Sequence, residues 1–142
     1  MSSNASTSTS NMSIVPTLTS SNWLAFERLM IAYLQSQGLA RHIDSTLRWP
    51  KALTNDELTA FYDESTPQKE RTALEEKKDT FEDFKDKNDK AKGYITMKLS
   101  PSLQHLVKKE NKAEELWEAL KTKFGKQGLA AMFGLFRKIN SW

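Results

Sequence analysis

Along most of this chain apolar residues recur every three or four positions, the spacing that lines one face of an α-helix. Trp23, Phe26, Met30 and Leu34, with Leu24 and Ile31 beside them, predict a first helix from about Asn22 to Gln37. Ser21 or Asn22 is suited to cap it, by accepting a hydrogen bond from a free backbone N–H. Gly38 is suited to end it, because the left-handed C′ position carries no penalty for glycine. Leu39 to Ile43 then reads as a short apolar turn, and Asp44 to Pro50 as a loop holding Trp49. Thr54-Asn55-Asp56-Glu57 is a capping box, in which hydroxyl and carboxylate each satisfy an orphan N–H. It opens a helix of about two turns with Leu58, Phe61 and Tyr62.

Ser65-Thr66-Pro67 starts the next element, with proline at the first helical position, where no donor is missed. The pattern predicts one long helix from about Pro67 to Leu99, with Leu74, Phe81, Phe84, Ala91, Tyr94, Ile95 and Leu99 on its apolar stripe. The remaining positions from Lys69 to Lys92 hold eight basic and eight acidic residues, so that face carries no net field. Gly93 weakens the helix locally and marks an expected kink or close contact. Ser100-Pro101 stops it and caps a short helix with Leu103, Leu106 and Val107, and Asn111 with Glu114 caps another. That last helix carries Leu116, Trp117, Leu120 and Phe124 and ends at Gly125, and Gly128 to Ile139 is a further apolar helical segment. Asn-Gly and Asp-Gly hairpin signals and alternating strand runs are absent, so the chain reads as all-α. The expected core is Trp23, Phe26, Met30, Leu34, Phe84, Ile95, Leu116, Trp117, Leu120 and Phe124.

The first 21 residues depart from this pattern. They carry no charge and are mostly Ser, Thr and Asn, so too little apolar surface is available to offset the entropy of ordering. They are expected to form a disordered tail, with Ile14, Val15 and Leu18 as a short apolar arm. Residues 22–125 then form one helical domain, and 126–142 begin a following helical segment that reads as truncated. The 142 residues include no Cys, which excludes a disulfide scaffold, a thiolate zinc site and a Cys nucleophile. The longest uncharged run in the helical part, Leu29 to Ala40, is too short to span a bilayer. No signal peptide is legible at the N-terminus, and a cytoplasmic location is expected.

The formal net charge of +3 is unevenly spread: residues 98–142 hold nine basic and four acidic side chains. Lys108, Lys109, Lys112, Lys121, Lys123 and Lys126 are therefore candidates for salt-sensitive contact with phosphates, although helix-surface and C-terminal dipole charge explains them better. Leu129, Met132, Phe133 and Phe136 form an apolar band suited to a partner, in cis or between subunits. No catalytic constellation is visible. His42 and His105 lie far apart in sequence without a metal-ligand partner at helical spacing. The carboxylates from Glu75 to Asp89 interleave with lysines as a solvated ion-pair face would. The chain is expected to be no enzyme and to hold no cofactor or metal.

Several of these residues fall in a familiar order. Leu18, Asn22-Trp23, Phe26, Met30, Leu34 and Gly38-Leu39 come first, followed by the lone Trp49 and Asp89-Lys90-Ala91. Ile95 and Leu99 precede Ala113-Glu114-Glu115-Leu116-Trp117-Glu118-Ala119-Leu120 and Phe124, and then Leu135 and Ile139. Over roughly residues 14–139 the chain resembles the N-terminal Gag region of copia-type LTR retrotransposons. That resemblance implies a multi-helix orthogonal bundle like a capsid N-terminal domain, a structural protein that assembles with its own copies into particles around the element's RNA. The partners implied are further copies and RNA, with no membrane and no small-molecule substrate. The zinc knuckle usual in such polyproteins is absent from these 142 residues. The competing expectations are a helical nucleic-acid-binding module, using the basic C-terminal third, and a host-domesticated adaptor that binds through the 129–139 band.

Overall fold

A computed structural model describes residues 12–108 and 112–125. The described elements are helical. They are α1 (Trp23–Ser36), a 3-10 turn (Ala40–His42), α2 (Asn55–Tyr62), α3 (Gln68–Met97), a 3-10 helix (Pro101–Leu106) and α4, helical over 113–125. No strand occurs among the described residues, and extended pairing is limited to an isolated parallel bridge between Leu18 and Leu99.

Residues 12–20 differ from the disordered tail expected of them. Met12, Val15 and Leu18 are buried in the core, whereas Ile14 is exposed. The Leu18 N–H donates to the Lys98 carbonyl at 2.6 Å, and the Ser100 N–H donates to the Leu18 carbonyl at 3.3 Å. Asn22 does not cap α1 with its side chain. Its Oδ1 accepts the Thr19 N–H and its Nδ2 donates to the Thr17 carbonyl, both at 2.8 Å. The three buried side chains stabilise the arm by roughly 1.5–3 kcal/mol each, enough to offset the ordering of a few Ser and Thr residues.

At its other end α1 closes as expected. Gly38 has φ +72°. The Leu39 N–H donates to the Leu34 carbonyl at 2.8 Å and the Gly38 N–H to the Gln35 carbonyl at 3.1 Å, the paired bonds of a Schellman motif. Leu34 and Leu39 are both buried beside it.

The capping box of α2 is complete, with the Glu57 N–H on Thr54 Oγ1 at 3.1 Å and the Thr54 N–H on Glu57 Oε1 at 3.0 Å. Lys77 of α3 reaches the same carboxylate at 2.9 Å, and its hydrogen bond is the largest cause holding Glu57 below the usual carboxylate range. Pro67 stands one position earlier than expected. It is the N-cap of α3, with ψ 143°, and its carbonyl accepts the Arg71 N–H at 3.0 Å.

The 30 residues of α3 span about 45 Å and meet two environments. Toward the C-terminal end Ala91 and Ile95 are fully buried in the main core. Toward the N-terminal end α3 packs with α2 and the Trp49 loop, where Phe81 and Phe84 are half-buried. Phe84 was expected in the core. It instead stands at its margin, edge-on to His42 at 4.7 Å and to Trp49 at 4.8 Å. Flanking this surface α3 carries the ion pairs Lys78–Glu82, Asp83–Lys87 and Lys85–Asp89, all at i,i+4, which stabilise a solvated helix by about 0.3–0.5 kcal/mol each. Gly93 is not a close-contact position, since a Cβ there would meet nothing within 4 Å. The segment after Ser100-Pro101 is 3-10 rather than α-helical and lacks a side-chain cap, with Leu103 buried from it.

Candidate functional site

Trp23 and Phe26 of α1 face Trp117 and Phe124 of α4. Ring centroids lie 5.3 Å apart for Trp23–Trp117, 6.0 Å for Phe26–Trp117 and 6.4 Å for Trp23–Phe124. All four rings are buried. Each pair adds about 0.5–1.5 kcal/mol beyond its area, so the rings lock α1 and α4 into one rigid seam. Met30, Leu34, Ile95, Leu116 and Leu120 are fully buried around it. The two stretches that carried the family resemblance, Asn22-Trp23 and Ala113 to Phe124, therefore meet in space.

The start of α4 is held from a distance. Asn88 sits on the apolar stripe of α3 between Phe84 and Ala91, only 4% exposed. Its Oδ1 accepts the N–H of the buried Ala113 at 2.8 Å. Ala113 opens the helix, so its N–H has no intrahelical acceptor, and Asn88 supplies one across 25 residues. The Lys112 N–H finds the Glu115 carboxylate at 2.9 Å. Glu114, expected to cap this helix with Asn111, accepts the Ser45 hydroxyl at 2.7 Å instead, and Asn111 lies outside the described residues. The sequence reading missed Asn88. Its signal was a polar residue on an otherwise apolar helical stripe.

The two histidines occupy unrelated settings. His42 is 7% exposed between the Ala40–His42 turn and Phe84. Burial pushes its imidazole below the ordinary histidine value, and Lys87 adds to this against the opposing pull of Asp44 and Asp83. His105 is exposed, with Nδ1 2.9 Å from the Ser102 carbonyl. No group of three or more His, Cys, Asp or Glu among the described residues could hold a metal ion, and no described helix is long and apolar enough to cross a membrane.

The described lysines do not form one patch. Lys123 and Lys121 are separated by about 200° around α4. Lys123 lies over the Phe124 ring, whereas Lys121 stands by Glu27 and Glu118. Lys112 lies over the Trp49 ring at 5.0 Å, and Lys108 is exposed, its carbonyl accepting Lys92 Nζ. Lys109 and Lys126 lie outside the described residues, as do Leu129, Met132, Phe133 and Phe136.

Outside the ring seam, α1 and α4 leave a groove. Two adjoining depressions of about 410 and 270 Å³ share Glu27, Glu118 and Lys121 on their walls. Trp23 and Leu24 line the first, Ile31 and Trp117 the second. Leu24 remains 47% exposed there. Among the described residues Glu27, Glu118 and Lys121 form no ion pair.

The family described as gag-polypeptide of LTR copia-type matches residues 30–141 of the chain. No curated protein and no solved structure matches it.

Proposed function

Because the chain belongs to the gag-polypeptide family of LTR copia-type elements, we propose that it is a capsid-like unit that self-associates into particles enclosing the element's RNA. The observation that carries this reading is the buried four-ring seam, which joins α1 to α4 as one rigid unit; Trp117 and Phe124 of that seam lie within the residues the family matches. A shell needs a unit of fixed shape with weak contacts that repeat. Helices supply the shape because their backbone donors are satisfied internally. Contacts of a few kcal/mol suffice for assembly when each unit makes several at once. RNA is the enclosed cargo in this reading, and the scattered described lysines favour diffuse phosphate attraction over a base-reading site.

Sedimentation velocity and light scattering of the 142-residue chain across a wide concentration range test the proposal. Reversible, concentration-dependent association without nucleic acid is the expected result. A strict monomer at the highest attainable concentration refutes it.

A further inference from the structure

The α1–α4 groove stands open among the described residues. Its floor is apolar, with Trp23 and Trp117 beneath it and Leu24 exposed at one end. Its walls hold three carboxylates, Glu27, Asp44 and Glu118, and one ammonium, Lys121, that make no ion pair among the described residues. We propose that this groove is a two-fold contact between two copies of the chain, each placing Leu24 in the other's groove. The proposal rests on the self-association reading and assigns that reading a surface.

The charges favour a second copy over other occupants. In a two-fold contact residue i of one copy meets residue j of the other and the reverse, so a surface with both signs can complement itself. Lys121 of each copy then faces Glu27 and Glu118 of its partner. RNA would meet three carboxylates beside a single lysine, which repels phosphate. An apolar centre with charges around it is also the usual anatomy of a protein interface.

Charge reversal in the full chain tests this. Lys121→Glu makes the groove wholly acidic, and the double variant Glu27→Lys, Glu118→Lys makes it mainly basic, with Asp44 the one acid left on its walls. Each variant alone is expected to weaken self-association by about ten-fold or more, because like charges then face each other. An equimolar mixture of the two is expected to restore association as a mixed dimer. Leu24→Asp weakens association and is rescued by neither. Circular dichroism establishes that each variant folds.

Wild-type association that none of the variants changes overturns the proposal while leaving self-association standing. Variants that stay apart when mixed overturn the two-fold pairing. A wild-type monomer at every concentration overturns both this proposal and the reading beneath it. If Lys121→Glu or Leu24→Asp lowers the melting temperature of dilute monomer and leaves association intact, the groove belongs to the chain's own fold and the proposal fails.

Discussion

Replacing Asn88 by Ala removes the acceptor of the Ala113 N–H and nothing else that is strongly bonded. The other hydrogen bond from Asn88, Nδ2 to Asp89 Oδ1, is long at 3.5 Å. Asn88 is 4% exposed and Ala113 fully buried, so water does not readily replace the lost oxygen. An orphaned buried donor costs about 1–3 kcal/mol. Alanine's better helix propensity returns roughly 0.5 kcal/mol. The net loss is therefore about 0.5–2.5 kcal/mol, or a fall in melting temperature of roughly 2–12 °C for a domain of this size. Asn88→Asp keeps an acceptor at the helix N-terminus, where a negative charge is worth about 0.3–1 kcal/mol, and should lose less. Urea unfolding followed by tryptophan fluorescence measures both variants. Exchange of the Ala113 amide, followed by NMR, should accelerate in Asn88→Ala beyond what the global loss explains. An Ala variant as stable as the Asp variant would refute the cross-element cap.

Trp117→Ala is expected to destabilise the fold by about 3–5 kcal/mol, since it empties the centre of the ring seam, and an unchanged melting curve would place the ring outside the core. Gly93→Ala should stabilise by about 0.5–1 kcal/mol, because the helix gains propensity and the new Cβ meets nothing within 4 Å; differential scanning calorimetry reads the rise. The depressed His42 value makes stability depend on acid. As pH falls through about 6.5 the unfolded chain takes up a proton that the folded chain resists, so stability declines with falling pH. His42→Leu should flatten that slope between about pH 7 and 5 in urea titrations, leaving the loss near pH 4 and below from carboxylates such as Glu57.

Most helices were legible because their cores are made by position. Trp23, Phe26, Met30 and Leu34 are spaced for one helical face and are buried on it. The capping box at Thr54 and the reversal at Gly38 were equally readable, since both are local chemistry. What stayed hidden depends on partners distant in sequence. Val15 and Leu18 were legible as an apolar arm, but the burial of Met12, the exposure of Ile14 and the pairing of Leu18 with Leu99 were not. Phe84 has core spacing, yet α3 outruns the main core and its flank is covered only by a loop and a histidine. The α1–α4 groove was invisible for the same reason: the sequence shows Leu24, Glu27 and Lys121 but not that two helices bring them to one surface.

The ring seam joins residues that leave the ribosome far apart in time. Trp23 and Trp117 stand about 90 positions apart, and a ribosome adding roughly 5–20 residues per second needs on the order of 5–20 s to cover that distance. Throughout that interval the newborn α1 has no ring partners, and Trp23 and Phe26 face water or whatever attendant protein shields them. Translation that halts before α4 emerges leaves the apolar face of α1 without the rings that bury it.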